Sequence, residues 1–408
     1  MLTRVRHLQV LVMACAIVCA ATSPAAAQTS LAELQKLLQQ KGAFQETDFA
    51  ALERGETVVR LAPAQDKREV AVAGLVTLRA NADEFLRSYR ETLTRKSNGA
   101  VMEIGTFGAA PVLADLAALT LEAKDIEDLK QCVVGDCDVK LSAAMIERFA
   151  REVDWQAPDY ALQATQLFKT MLLEYVKDYR TRGDRALIEY HDKQNEVRLA
   201  DEHQALTRAS GYLTEIFGGL PRAAAEMQPL EELLVWSKIK FGLKPVIAIN
   251  HITIYKRDRE LGPQILAVSK QIYANHYFNS SLALTGFVTV AGPTSDVASY
   301  LVYENRSRAD GLTGPFGKFK RSLVENKALE GLKGILEQSK VTLEAPLGQK
   351  STTAAATVSD GWGRRLFGGV RPLLWVLIIS ALIALLALRT YEGKASRTGV
   401  KQLKPEQR

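Results

Sequence analysis

The stretch KPVIAINHITIYKRDRELGPQILAVSKQIYANHYF, residues 244–278, decides the fold. At Lys244 the spacing of apolar side chains changes from helical to strand-like. Two more strand-like runs follow, SLALTGFVTV (281–290) and SYLVYENRS (299–307). The segments DRELG, NS and AGPTSDVA between these runs are typical of hairpin connections. The sequence therefore predicts an antiparallel β-meander of four consecutive strands.

A long helical pattern follows the meander over residues 318–344. Its apolar stripe consists of Leu329, Leu332, Ile335, Leu336 and Leu343. Because such a stripe must be buried, the preceding sheet is its natural partner. Upstream, β-rich runs at 57–63 and 68–80 come before a helical pattern that starts at Asn81. We therefore predict an α+β fold, with an antiparallel β-meander packed on a long C-terminal helix.

Residues 112–241 have mostly helical patterns and predict a large helical insertion. The clearest amphipathic helix runs from 159 to 180, with apolar side chains three or four positions apart. Ser142 is a predicted N-cap for the helix that follows it, and DVKLS (138–142) reads as a short strand. Pro229 suits the first position of a further helix that ends near Phe241.

A meander followed by a long C-terminal helix, with the short loop GLTGPFG between them, resembles the helix-grip fold of the START-like, polyketide-cyclase-like superfamily. The resemblance covers residues 244–344 best and extends to 55–95. It implies a curved sheet wrapped around the last helix, enclosing an apolar cavity for a lipid or another hydrophobic ligand. The segments GDC-VKLS, SKQIYA-HYF and NRSR-D resemble a family of exported, membrane-anchored bacterial proteins of uncharacterised activity, and that resemblance implies no chemistry.

The N-terminal end predicts a signal peptide over residues 1–27. A short basic start is followed by an apolar run, and Ala25–Ala27 supplies the small residues of a cleavage site. The remaining domain, residues 28–344, is then expected outside the cytosol, in the periplasm or the extracellular space.

The C-terminal end predicts one transmembrane helix over residues 372–388. This segment carries no charge, and its length is at the short end of the roughly 17–25 residues that span a bilayer. A Ser-, Thr-, Ala- and Gly-rich linker (345–371) precedes it, and a basic tail (389–408) follows it. Because positive residues stay on the cytoplasmic side, we expect a single-pass type I protein of the cell membrane.

Charge and cysteine content exclude two classes of function. The net charge of +6 arises partly from the two ends, so it does not indicate nucleic-acid binding. Once the leader is removed, Cys132 and Cys137 are the remaining cysteines, and an oxidising compartment favours a disulfide between them. Two free thiols or half of a zinc site are the alternatives. No second pair at zinc-ligand spacing follows, so we predict neither a metal nor a cofactor.

The candidate ligand-binding residues lie in the strand-like runs: His251, Tyr255, Lys270, His276, Arg306 and Arg308. Strand periodicity places one set on a shared face, namely Leu266, Val268, Lys270, Ile272, Ala274, His276 and Phe278. His251 shares a face with Ile247, Ile249, Thr253 and Tyr255 by the same rule. Pockets are mainly apolar with a few placed polar groups, so these side chains suit a ligand cavity. Hydrogen-bonded core positions, and ion pairs for the two arginines, are the competing interpretations.

Three hypotheses for function follow from these patterns. The first is a membrane-tethered binding protein that holds a lipid or other hydrophobic ligand between the sheet and the C-terminal helix. The second is a structural or interaction protein of the cell envelope that docks a protein partner. The third is a hydrolase or lyase using His251 or His276, which requires a carboxylate or a nucleophile near one of the rings. No catalytic residue is assigned from the sequence.

Overall fold

The structure is a computed structural model that describes residues 31–41, 44–94, 101–211, 228–240, 244–257, 264–291, 297–313 and 317–344. The predicted signal peptide, juxtamembrane linker, transmembrane helix and basic tail lie outside these residues. Within the described ranges, no helix combines the length and the apolar character that crossing a bilayer requires.

The chain forms one large sheet and eight α-helices within the described residues. The helices are α1 (Leu31–Lys41), α2 (Glu46–Glu53), α3 (Ala82–Thr94), α4 (Ala123–Gln131), α5 (Ala143–Glu152), α6 (Tyr160–Arg182), α7 (Leu199–Ala209) and α8 (Gly317–Glu344). The strands are β1 (Val58–Leu61), β2 (Glu69–Leu78), β3 (Val101–Phe107), β4 (Glu189–Tyr190), β5 (Val197–Arg198), β6 (Gln228–Ile239), β7 (Val246–Arg257), β8 (Gln264–Ala274), β9 (Phe278–Ala291) and β10 (Val297–Ala309). Short 3₁₀ turns lie at 113–116, 183–186 and 310–312.

The main sheet has eight strands in the order β1-β2-β10-β9-β8-β7-β6-β3, and all neighbouring strands are antiparallel. Strands β6 to β10 form a continuous meander. β2 pairs with the last strand of this meander and β3 with the first, so the β2–α3–β3 unit joins its two ends. The segment that carries α4 to α7 is inserted between β3 and β6.

Helices α3 and α8 cover one face of the sheet, here called the inner face. Its apolar cluster includes Val72, Ile254 and Phe287 from the strands, Phe85 from α3 and Leu332 from α8. Helix α8 packs mainly over β1 and β2. It approaches β2 at Gly74, where a Cβ atom would overlap the side chain of Leu336. A glycine is therefore needed at this crossing.

The opposite, outer face of the sheet is also covered. Helices α1 and α2 pack on β2, β9 and β10 through a cluster that includes Leu38 and Phe49. Helix α7 places Leu206 against β8 and β9. Helices α4 to α6 pack on β6, β7 and β8 around Phe168, Trp236 and Tyr273. The sheet is thus the middle layer of three, which explains why both faces of its strands are apolar.

Several predictions about the elements are confirmed. The α+β class, the antiparallel meander and the long C-terminal helix are all present. Helix α6 covers the predicted amphipathic segment, and the Ser142 side chain accepts a hydrogen bond from the Met145 amide at the start of α5. Cys132 and Cys137 form the predicted disulfide.

Other predictions about the elements are wrong. The segment that starts at Pro229 is strand β6 rather than a helix, because it pairs with both β3 and β7 and is covered on both faces. DVKLS (138–142) forms no strand, and the segment 101–107 forms a strand that was not predicted from the sequence. The turn between β8 and β9 lies at 275–277, ahead of the predicted Asn279–Ser280 connection, and Tyr277 there has a positive φ of 62°.

Candidate functional site

Four buried hydroxyl groups on the inner face make no hydrogen bond of ordinary geometry with the residues that the structure describes. They belong to Tyr89 of α3, Thr285 of β9, Tyr303 of β10 and Ser237 of β6. Ser237 lies three strands away from Thr285 in the sheet, whereas the other three lie together. These side chains are between 0% and 3% exposed. A buried hydroxyl without a partner costs free energy, and native proteins contain few of them. Such a group therefore calls for a functional explanation.

The three hydroxyl-bearing side chains belong to one region of the inner face. Thr285 and Tyr303 are direct cross-strand partners. The Phe85 ring stacks on the Phe287 ring, with ring centroids 5.2 Å apart. Phe85 lies one turn before Tyr89 on α3, and Phe287 lies two residues after Thr285 on β9. Burial raises the pKa of Tyr303, the nearby Tyr89 phenol raises it further, and a hydrogen-bonding contact with the Asn305 side chain lowers it. Burial likewise raises the pKa of Tyr89. Both phenols therefore stay protonated and can donate a hydrogen bond.

The inner face around these hydroxyls combines small side chains with neutral polar ones. Ala267 and Ala283 belong to its apolar cluster, and Ser269 is the cross-strand partner of Ala283. Next to Tyr303 along β10, Asn305 and Ser307 form a buried network with Ser281. In this network Asn305 Nδ2 donates to Ser281 Oγ (3.2 Å), and the hydroxyls of Ser281 and Ser307 lie 2.9 Å apart. The polar groups at this position are hydroxyls and amides rather than charges.

The structure places the sequence-predicted site residues elsewhere. Lys270 packs in the same layer as Leu266 and Val268, which contact α7 on the outer face, and its cross-strand partner His251 faces the same way. A bulge opposite Ile249 and Asn250 then shifts the alternation of β8. Consequently Tyr273 packs against the helical insertion, and Ala274 faces α3 and α8. The predicted alternating face from Leu266 to Phe278 is therefore wrong beyond the bulge.

His276 is fixed within the core of the insertion. Its Nε2 lies 2.9 Å from Asp125 Oδ1, and its Nδ1 lies 3.0 Å from the Asp138 carbonyl. Asn275 donates to the other Asp125 oxygen at 3.4 Å. The carboxylate that the enzyme hypothesis requires is thus present. However, both ring nitrogens are engaged and the side chain is only 3% exposed, so no nitrogen is left for a substrate.

His251 and Lys270 form a second polar group, on the outer face. The Tyr179 hydroxyl lies 2.9 Å from His251 Nδ1, and Thr253 Oγ1 lies 3.5 Å from its Nε2. Burial lowers the pKa of His251, so the ring is neutral near pH 7. Lys270 donates a hydrogen bond to Asp184 at 2.5 Å. The pKa of Lys270 is lowered, because burial lowers it more than the contact with Asp184 raises it. The side chain of Tyr255 packs at the edge of the α7 cluster.

Arg306 and Arg308 each form ion pairs with carboxylates that connect parts of the fold. Arg306 contacts Glu69 (2.5 Å) and Glu304 (2.8 Å), and all three side chains are almost fully buried. Arg308 contacts Asp66 at 2.5 Å and Glu202 at 3.2 Å. These pairs tie β10 to the β1–β2 connection and to α7. The interpretation of the arginines as strand-end ion pairs therefore fits the geometry better than an anion site.

His203 of α7 is buried against the sheet. Its Nε2 lies 2.7 Å from the Gln271 carbonyl, and Ser280 Oγ lies 3.0 Å from its Nδ1. Burial lowers the pKa of His203 to about 3. The neutral ring with a hydrogen on Nε2 satisfies both contacts, so His203 fastens α7 to the sheet.

A cluster of metal-ligand residue types and a surface groove lie outside the inner face. Glu189, His191 and Glu196 lie close enough together to bind a metal ion. However, Arg198 already pairs with both carboxylates, at 3.6 Å and 2.8 Å. The second feature is a groove of about 960 Å³ at the end of α8, with walls that include Leu52, Thr77, Leu78, Ala82, Ser299 and Lys340. Leu78 and Ala82 also belong to the inner apolar cluster, so the groove borders the interior.

In comparisons with known proteins, no family model, no curated protein and no solved structure matches this chain.

Proposed function

We propose that the chain is a binding protein that holds a hydrophobic ligand between the inner face of its sheet and the helices α3 and α8. The observation that carries this proposal is the group of unpartnered hydroxyls of Tyr89, Thr285 and Tyr303. A ligand with one polar group would satisfy these hydroxyls, and its apolar part would contact the surrounding side chains. Binding sites commonly have this composition, mostly apolar with a few placed polar groups.

The topology supports the same proposal. The order of elements is the one expected of a START-like, helix-grip domain: a β2–α3–β3 unit, then a meander, then a final helix. The strands β2 and β3 pair with opposite ends of the meander. In that interpretation the segment between β3 and β6 is an insertion that thickens the outer layer. The small side chains Ala267, Ser269 and Ala283 on the inner face would leave room beneath the helices.

The predicted anchor remains part of the proposal. Helix α8 ends at Glu344, and the predicted linker and transmembrane helix follow it in the sequence. Such a tether would hold the domain at a membrane surface, close to a source of hydrophobic ligands. Cell fractionation of the full chain tests this part independently. The protein should resist extraction by carbonate and dissolve in detergent.

Native mass spectrometry of the full chain, purified in mild detergent, tests the binding function. We expect a co-purifying hydrophobic molecule that organic solvent extracts. The double variant Tyr89→Phe with Tyr303→Phe should retain less of it, because both hydroxyls are removed without a change in shape. The variant Lys270→Met, on the outer face, is the matched control and should retain as much as the parent. Absence of any bound hydrophobe, after expression in a host that makes diverse lipids, would contradict the proposal.

A further inference from the structure

The interior offers hydrogen bonds without charge, and this composition restricts the ligand. Each of the three hydroxyls can both donate and accept a hydrogen bond. The adjacent network of Asn305, Ser281 and Ser307 is also neutral. A ligand group that meets these side chains must therefore be satisfied by neutral partners.

The charged residues of β8 and β10 that the sequence suggested as ligand contacts lie on the other side of the sheet, and each is already paired there. Arg306 pairs with Glu69 and Glu304, Arg308 with Asp66 and Glu202, and Lys270 with Asp184. Among the described residues, the charged side chain that α8 buries is that of Lys320, at the beginning of the helix. A carboxylate or phosphate placed beside Tyr89 and Tyr303 would thus be buried without a described counter-charge.

The energetic consequence is large. An ionised group that leaves water needs a counter-charge and several hydrogen bonds to offset the loss of hydration, whereas a hydroxyl, ester or amide needs only hydrogen bonds. Neutral hydrogen-bonding groups are what this part of the interior supplies.

We infer that the ligand is an uncharged hydrophobe whose hydroxyl, ester or amide group is bound by Tyr89, Thr285 and Tyr303. This inference rests on the proposed binding function and adds the chemical class of the ligand. Because the phenols remain protonated, binding of such a ligand should not change between pH 6 and pH 9.

Two probes with the same acyl chain test the inference, monooleoylglycerol with a neutral head and oleate with an anionic one. Each is offered to the delipidated full chain in detergent, and binding is measured by native mass spectrometry and by displacement of a neutral fluorescent lipid. We expect the neutral probe to bind at least about ten times more tightly than oleate at pH 9, where the oleate carboxyl is ionised, and the difference should narrow at pH 6 as part of the oleate becomes neutral. Tyr303→Phe and Thr285→Val should each weaken the neutral probe about five- to ten-fold, and Tyr175→Phe should not.

The outcomes separate this inference from the binding function itself. Equal or tighter binding of oleate, lost in Tyr303→Phe, would overturn the inference about charge and leave the interior site standing. Neutral binding that is unaffected by both Tyr303→Phe and Thr285→Val would overturn the assignment of these hydroxyls. If neither probe binds and no other hydrophobe co-purifies, the proposed function fails and this inference fails with it.

Discussion

Replacing Tyr89 by phenylalanine should stabilise the ligand-free protein, in contrast to most substitutions of buried tyrosines. The Tyr89 hydroxyl is buried and has no hydrogen-bond partner among the described residues. A buried polar group in this state costs about 1–3 kcal/mol relative to a solvated one. Phenylalanine keeps the ring and removes that cost. We therefore expect the free energy of unfolding to rise by about 1 kcal/mol or more.

Tyr175→Phe is the matched control because the Tyr175 hydroxyl donates to the Ile272 carbonyl at 2.7 Å in an equally buried position. Its loss leaves that carbonyl unpaired, so the free energy of unfolding should fall by about 1–3 kcal/mol. The two variants remove the same atom and should differ in sign. Urea denaturation of the delipidated chain, followed by circular dichroism, measures both values.

The result that refutes the reasoning is a similar destabilisation by both variants. It would mean that the Tyr89 hydroxyl is satisfied in the free protein, for example by bound water, and that it is not available to a ligand. A second readout guards against an accidental cancellation of effects. With bound ligand the advantage of the variant over the parent should shrink, because Tyr89→Phe should gain less stability from the neutral probe than the parent does.

Further predictions concern stability. His203 has a folded-state pKa of about 3, whereas its ordinary value is near 6.5. Its contribution to the free energy of unfolding is therefore complete above pH 6.5 and is lost as pH falls toward 3. Between pH 7 and pH 5 this loss is about 2 kcal/mol, and His203→Gln should reduce the pH dependence of urea denaturation by that amount. A larger dependence in the variant would contradict the assigned burial. Joint replacement of Cys132 and Cys137 by serine should lower the free energy of unfolding by about 2 kcal/mol, in proportion to the short loop they close; equal melting temperatures of parent and variant under oxidising conditions would show that the bridge does not form. His276→Leu leaves the buried Asp125 carboxylate with Asn275 as its remaining described side-chain partner, so we expect a loss of about 3 kcal/mol in the same assay, and a neutral effect would argue against the hydrogen bond between His276 and Asp125. Gly74→Ala should destabilise the chain and Gly334→Ala should not, because only the first glycine touches a neighbouring element; thermal denaturation compares the two, and equal midpoints would place α8 farther from β2.

The sequence predicted the elements with the strongest local patterns. The meander, α6 and α8 follow from apolar spacing alone, since each has one dominant period. Strand β6 did not, because LLVWSKI is buried on both faces and an apolar run of that length fits a helix as well as a strand. Strand β3 was missed for the opposite reason. It lies at the edge of the sheet and is only partly buried, so its pattern is weak.

The candidate site could be predicted only in part, because polar residues in a strand do not reveal which layer they face. His251, Lys270, Arg306 and Arg308 attract attention as charged or titratable groups, yet all four make outer-face contacts that pair or enclose them. The inner-face hydroxyls that lack partners belong to two tyrosines, a threonine and a serine. Tyrosine and threonine are common in β-strands, so their presence there gives no signal of function.

Their significance depends on register and on the absence of a neighbouring acceptor, and both are properties of the tertiary structure. Thr285 lies opposite Tyr303 because of the β9–β10 pairing, and Tyr89 reaches them from α3, more than a hundred residues earlier in the chain. A sequence pattern can mark charges that a fold must neutralise. Neutral groups that the fold leaves unsatisfied emerge only when the layers are assembled, and in this protein those groups define the more informative site.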